Sequence, residues 1–447
     1  MDFSRTRMML LSLILLSLAC GLPGLSPTPD DSELATSVAA TLTAETPPQP
    51  HGTISEQTQS PLVSTLTSTT PPPSVLRIVY TDDGNVWLIE DSNPPIQLTS
   101  SGDANQVLIS SDGMKVAFVR RTSPDNPVEI GSVNIDGSGE LTLFGPAQFD
   151  TLYPLDDYLH HDLSSLAFVP GTHHLMFNTR AVPEGPGLIK HDDLLLLDAD
   201  TGVFRTIFSP GSGGDFTLSP DGNQIAITKP TGISLANIDG SNMRSNLITY
   251  AQVITYSEFN YYPLPVWSPD SSAIGVVIPS PDPFDTPTSG AIWRVQAEGG
   301  AKVNLGTILG DFYFTQTSYS LMSPMLDRVA YLSETPTPNI YDLFLATADG
   351  SGETLYASGD IQWHGWAPDN IHFVFAMGSP LDLHLGRSGS APLPLCSGLN
   401  LRWIDDVNFL CLSGAFGSWT LMKGEIGGTV TPLASPLGDF VSYDFDD

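Results

Sequence analysis

Positive charge is what this 447-residue sequence most lacks: Lys and Arg number 17 against 49 Asp and Glu, a formal net charge of -32. A surface so short of cations cannot neutralise a run of phosphates, which excludes nucleic acid and anionic membrane faces as partners. Cationic groups, metal ions and neutral ligands remain compatible, and the acid excess by itself keeps an exported chain in solution. Cysteine is nearly as scarce. With only Cys20, Cys396 and Cys411, no framework of disulfides can hold the fold. Cys396 and Cys411 fall on an outer strand of one repeat unit and an inner strand of the next, so a bridge between them is the lesser expectation. The apolar stretch from Met8 to Ala19 is shorter than the ~20 residues a bilayer span requires. A Gly-x-Ser-x-Gly elbow is missing as well, and with it the sign of a serine hydrolase domain.

What the N-terminus does contain is an address. Arg5 and Arg7 precede the apolar stretch, and a small residue precedes Cys20, the order of a secretory signal. Ser17-Leu18-Ala19-Cys20 resembles a bacterial lipoprotein box, although Ser17 stands where that box usually has Leu. The resemblance implies cleavage before Cys20, with lipid on Cys20 as the only membrane attachment; plain secretion or an uncleaved anchor are the alternatives. The expected division is a signal peptide at 1–19, a Pro/Thr/Ser-rich tether at 20–75 and a folded region at 76–447. Stretches such as "ETPPQP" and "STTPPPS" cannot bury enough apolar surface to fold and extend at ~3.1 Å per residue. The expected location is the cell membrane, facing the periplasm or the exterior.

The folded region repeats itself. An apolar run, a tight turn and a second apolar run recur in "VLISSDGMKVAFV", "LAFVPGTHHLMFN", "FTLSPDGNQIAIT", "PVWSPDSSAIGVV", "SLMSPMLDRVAYL", "HGWAPDNIHFVFA" and "LRWIDDVNFLCLS". The residue before each turn is large and apolar: Ile109, Phe168, Leu218, Trp267, Met322, Trp366 and Trp403. Such regularity belongs to strands whose apolar face is covered by the next unit. Asp-Gly or Gly-Gly turns follow each hairpin, as in "NIDGSGE" and "TADGSGE", and favour a second hairpin. Each unit therefore holds four short strands, a to d.

Four-stranded units at a period of 37 to 59 residues predict an all-β fold, a single β-propeller. The Ser-Pro-Asp-Gly turn with Trp before it resembles the WD40-like (PD40-type) repeat of TolB-type proteins, over essentially all of 76 to 447; Ser219 to Gly222 is the one full match to the turn. The resemblance implies an interaction role in the cell envelope and supplies no mapped site residues. The first strands from Arg77 read as b, c and d without an a, and "GDFVSYDFDD" reads as an a without a b. A C-terminal strand beside Ile78 to Tyr80 then closes the ring at eight blades, or seven if the weak second unit is an insertion.

Antiparallel order puts the b-to-c and d-to-a connections on one face, and nearly all long insertions are there: 145–162, 179–193, 250–265, 279–290 and 306–320. Scaffolds carry function on such loops. The expected ligand face is Tyr153, Tyr158, His160, His161, Tyr256, Phe259, Tyr261, Tyr262, Phe312 and Tyr313, rings suited to stacking on sugars or on a partner's apolar anchors. Packing the loops onto the blades is the simpler role for any single ring. Asp156, Asp157, Glu258, Asp282, Asp285 and Asp311 accompany them. "DDYLHHD" and "HDD" contain metal-ligand residue types without a recognised spacing, which leaves metal use open; Asp136, Asp239 and Asp349 lack the acidic ladder of a calcium loop and read as turns. The expected role is a monomeric binding or scaffold module without cofactor, whose partner is a protein, peptide or glycan. The alternative is an envelope glycan hydrolase or lyase using carboxylates of the same face.

Overall fold

The turn at Ser219-Pro220-Asp221-Gly222 shows how each unit is made. The Ser219 hydroxyl donates to Asp221 Oδ1 at 2.6 Å and accepts the Gln224 amide at 2.9 Å, while the Gly222 amide donates to the Ser219 carbonyl at 2.9 Å. Gly222 has φ +68°, and a Cβ there would lie 2.4 Å from the Pro170 carbonyl of the preceding unit. Glycine is thus needed for conformation and for fit. Ser110 with Asp112 and Ser268 with Asp270 repeat the serine-to-aspartate bond at 2.6 and 2.7 Å. The Asp-Gly turns use a related device: Ser138, Ser241 and Ser351 each donate a backbone amide at 2.9 Å to Asp136, Asp239 and Asp349.

A computed structural model of the protein describes residues 75–446 apart from 92, 122–127, 155–157, 186–188, 257, 258, 285, 286, 314–318 and 379–381. Cys20, the signal segment and the tether lie outside the described residues. The described chain forms eight antiparallel sheets in a ring, a β-propeller with one short helix. Blade 1 joins Tyr443–Phe445 to Arg77–Asp82, Asn85–Glu90 and Ile96–Gln97, with Ile78 opposite Phe445 and Tyr80 opposite Tyr443. The C-terminal strand therefore closes the ring where the repeat pattern places it. The weak second unit is a complete blade 3, His160–Phe168, His174–Val182, Leu194–Asp198 and Phe204–Phe208, which settles the count at eight over seven.

Blade 6 departs from the pattern. Its inner strand is reduced to a single bridge between Met322 and Val329 beside Arg328–Glu334, Tyr341–Thr347 and Thr354–Gly359. Three stretches expected as loops also carry regular structure of their own: 145–162 holds the helix Pro146–Leu152 and the start of a strand at His160, 179–193 holds the short strand Ile189–Lys190 paired with Arg180 and Ala181, and 250–265 holds a hairpin of Ile254–Tyr256 with Phe259–Asn260. The helix is favoured by Pro146 at its first position, by the Gln148 side chain accepting the Gly145 amide at 3.0 Å, and by Phe149, which is buried against blade 3. Among the described residues no helix is long and apolar enough to cross a membrane.

The core is a series of layers between neighbouring blades. Ile78, Leu410, Tyr443 and Phe445 fill the seam of blades 8 and 1, and Val169, Leu196, Ile225 and Ala236 the seam of blades 3 and 4. The tryptophans before the turns add direction to this packing. Trp267 donates its indole N–H to the Thr217 carbonyl at 3.1 Å and Trp366 to the Leu321 carbonyl at 2.9 Å, in each case on the preceding blade. The cysteine expectation is corrected at the seam of blades 7 and 8: Cys396, on the outer strand Leu393–Cys396, forms a disulfide with Cys411, on the second strand Asn408–Ala415. Blades pack face to face and offset, so an outer-strand side chain of one reaches the second strand of the next, with the Cα atoms 6.8 Å apart.

Candidate functional site

The face carrying the b-to-c and d-to-a connections contains both the expected residues and a pocket built by shorter segments. The expected rings fall into two groups. In the first, Tyr153 at the end of the helix stacks on His191 with ring centroids 4.1 Å apart, and His161 lies 5.1 Å from each. The Tyr153 hydroxyl donates to Asp193, whose other oxygen accepts the Thr179 amide at 2.8 Å. The Thr179 hydroxyl donates to Asp193 at 2.7 Å and so accepts from His191 Nδ1 at 2.6 Å, since it has one hydrogen. Burial, with the Asp193 charge beside it, holds the Tyr153 hydroxyl well above the ordinary phenol range. Protein donors surround this fully buried carboxylate, so the network fastens the loop to blade 3.

Neighbouring side chains extend the group. Tyr158 meets His161 edge-on at 6.5 Å, and His160, buried on the inner strand, approaches Arg121 at 3.4 Å. Arg121 and Arg180 hold Asp162 at 2.6 and 3.1 Å. Burial works against that charge, but the two guanidiniums outweigh it and keep the carboxyl below the usual range. The second group spans blades 3 to 5. Tyr262 donates to Asp192 at 3.0 Å and lies under the Lys190 ammonium, 4.0 Å from its ring centre. Tyr261 meets Tyr313 edge-on at 4.8 Å, and Tyr313, pushed up to about 12 by burial and then by Asp282, donates to the Ser280 carbonyl. Phe312 is completely buried and Phe259 half-buried, while the side chain of Tyr256 lies outside the described residues.

Most of the expected rings are therefore turned inward, where they pin the insertions. Asp156, Asp157, Glu258 and Asp285 lie outside the described residues, and Asp311 is buried, its carboxyl raised by desolvation and then by Glu334. Among the described residues, no group of three His, Cys, Asp or Glu side chains is placed to hold a metal ion.

Phe284 of the 279–290 connection is 78% exposed, and the exposed aromatic pair of this face stands over blade 8. Phe416 and Phe440 are 64% and 79% exposed and meet edge-on at 5.4 Å. Phe416 tips the blade 8 turn Gly414-Ala415-Phe416-Gly417, in which Gly414 has φ +121° and no space for a Cβ beside the Ser418 carbonyl. Phe440 comes from the connection into the closing strand, and the Trp419 indole ties the two together by donating to the Asp439 carbonyl at 3.1 Å. Beneath them is a cavity of about 710 Å³ walled by Leu412, Ala415, Trp419 and Val441, with Ser397, Asn400, Ser413, Asp382 and Asp439 as its polar positions. Sequence reasoning missed it because it weighed loop length. The available signal was a phenylalanine between two glycines at a hairpin tip, where no packing partner is within local reach.

No protein-family model and no curated protein matches the chain. Solved structures do match. An oligogalacturonate lyase in complex with manganese is 15% identical with a TM-score of 0.45, over 68% of this chain and 82% of that one. TolB from Acinetobacter baumannii is 16% identical with a TM-score of 0.32 over 62% of each chain, and a eukaryotic initiation factor is 10% identical with a TM-score of 0.48 over 83% and 98%. The likeness is one of fold. The chain spans less than two thirds of that TolB, and propellers host unrelated activities, so function rests on the residues themselves.

Proposed function

We propose that the protein is an exported, lipid-anchored β-propeller that binds a protein, peptide or glycan through the face bearing its long connections. The lipobox-like Cys20 and the Pro-rich segment support the tethered reading. The observation that carries the binding role is the open cavity under Phe416 and Phe440, whose volume is that of an ordinary ligand site. The opposite face carries short turns committed to internal hydrogen bonds, and among the described residues its cavity of about 550 Å³ between the turns of blades 3 and 4 has no pair of exposed aromatic rings at its mouth. Rigid aromatic side chains lose little conformational entropy on contact, which is why such pairs anchor interfaces.

The test is the full-length protein screened on a glycan array and against a displayed peptide library. Ligands found are then re-measured with the pair Phe416→Ser and Phe440→Ser together and, as a control on the opposite face, with Met325→Ser, a residue 58% exposed in a blade 6 turn. The expected outcome is at least a tenfold loss in the double variant and none in the control. Unchanged binding in the double variant, or loss in the control, overturns the reading.

A further inference from the structure

We infer that the cavity under Phe416 and Phe440 receives an organic ammonium group carried on an apolar body. This rests on the reading of that face as a binding face and states which chemistry it selects. Three aromatic rings, Phe416, Trp419 and Phe440, stand at the cavity, and ring faces attract desolvated cations while anions are repelled by the same quadrupole. The charged residues lining it are Asp382 and Asp439, and among the described residues no Lys or Arg lines it. The two carboxylates come from different blades, Asp382 from the start of the blade 7 strand Asp382–Arg387 and Asp439 from the connection out of blade 8. An ammonium entering from solvent meets two acidic residues in a cleft whose remaining wall is mostly apolar, with Ser397, Asn400 and Ser413 as its neutral polar positions, and a lowered local dielectric strengthens the attraction.

The alternatives fit less well. A carboxylate or phosphate ligand would face two anions without a compensating base. A sugar would find partners at Ser397, Asn400 and Ser413, but its neutral hydroxyls would gain less from Asp382 and Asp439 than an ammonium does. A purely apolar ligand would be accommodated but would gain nothing from Asp382 and Asp439. The net charge of -32 acts in the same direction at longer range, raising the local concentration of cations and lowering that of anions. A cavity of about 710 Å³ is large enough for an aryl or alkyl amine with its hydration partly retained.

Three probes on one skeleton separate these terms: phenethylammonium, phenethyl alcohol and phenylacetate, titrated calorimetrically into the full-length protein at low and high salt. The ammonium is expected to bind at least tenfold more tightly than the alcohol, with phenylacetate undetected, and its preference to shrink several-fold in high salt. Asp439→Asn and Asp382→Asn keep the side-chain shape and should each reduce the preference for ammonium over alcohol by three-fold or more. Phe416→Ala should weaken both probes. Equal binding of alcohol and ammonium, or a preference untouched by both Asn variants, overturns the cation inference and leaves the binding face standing. If no probe binds while a glycan or peptide hit still depends on Phe416 and Phe440, the cation inference also fails and the face again survives. If the probes behave as expected and no macromolecular ligand depends on that pair, the macromolecular binding role fails and the small-cation site remains.

Discussion

At the scale of single residues, the turns do more than reverse the chain. His173 of blade 3 reaches Asp112 of blade 2 at 3.1 Å and Asp200 of its own blade at 2.8 Å, and Lys115 of blade 2 meets Asp200 at 2.8 Å. Burial disfavours the imidazolium, but the two carboxylates outweigh it and hold the ring above its ordinary pKa. The folded state thus binds this proton more tightly than the unfolded chain. The stabilisation is complete below the unfolded value of about 6.5 and disappears as pH rises through the folded one. Thermal unfolding of His173→Ala beside the parent from pH 5.5 to 8.5 should show the variant's deficit largest at pH 5.5 and shrinking toward pH 8.5. The deficit should stay within about 1 kcal/mol, because the ring remains partly solvated; a deficit independent of pH would refute the link. The Ser-Asp and Asp-Gly turns were legible in sequence because their bonding spans two to five residues. His173, bonded to a residue of another blade, was not.

At the scale of elements, the disulfide and the cleft share a seam. Cys396 is followed by Ser397, and Cys411 by Leu412 and Ser413, all of them wall residues of the cavity. The bond adds a second covalent link between two blades already joined through Ser397, whose carbonyl accepts the Ser413 hydroxyl at 2.8 Å. With the cysteines 15 positions apart in sequence, its loop-closure contribution is about 3 kcal/mol. Urea unfolding should shift to a lower midpoint when dithiothreitol is added to the parent, with no shift in the Cys396→Ser, Cys411→Ser pair, and peptide mapping without reductant should recover the linked fragments. An unlinked parent would be decisive against it. The bridge escaped sequence analysis because strand order was readable while the offset of one blade against the next was not. The same limit applies to the loops: their lengths were legible, but whether a tyrosine points at blade or solvent depends on contacts between insertions, as Tyr261 with Tyr313 shows.

At the scale of the whole molecule, the repeat pattern specified eight blades because each unit carries its own turn chemistry, and the unmatched strands at the two ends complete one another. The closing strand buries Tyr443 and Phe445, the connection before it buries Val441, and each side chain contributes about 1.5–3 kcal/mol by burial. Asp444 in the same strand is buried too, its carboxyl pushed up by desolvation although Arg402 pairs with it, and it accepts the Ile109 amide of blade 2 at 2.9 Å. A chain ending at Gly438 should lose cooperative unfolding, with blade 1 exchanging its amides far faster than blade 4 in hydrogen-exchange measurements; uniform protection across the ring would contradict this. The closing strand also puts a clock on folding. Ile78 pairs with Phe445, so the edge of Arg77–Asp82 has no inner partner until residues 443–445 have been made. At 5–20 residues per second that takes about 20 to 70 s, during which an apolar strand edge of the type that recruits other chains stays open. A helper that shields that edge during synthesis or transit would therefore raise the yield of closed rings without touching their final stability.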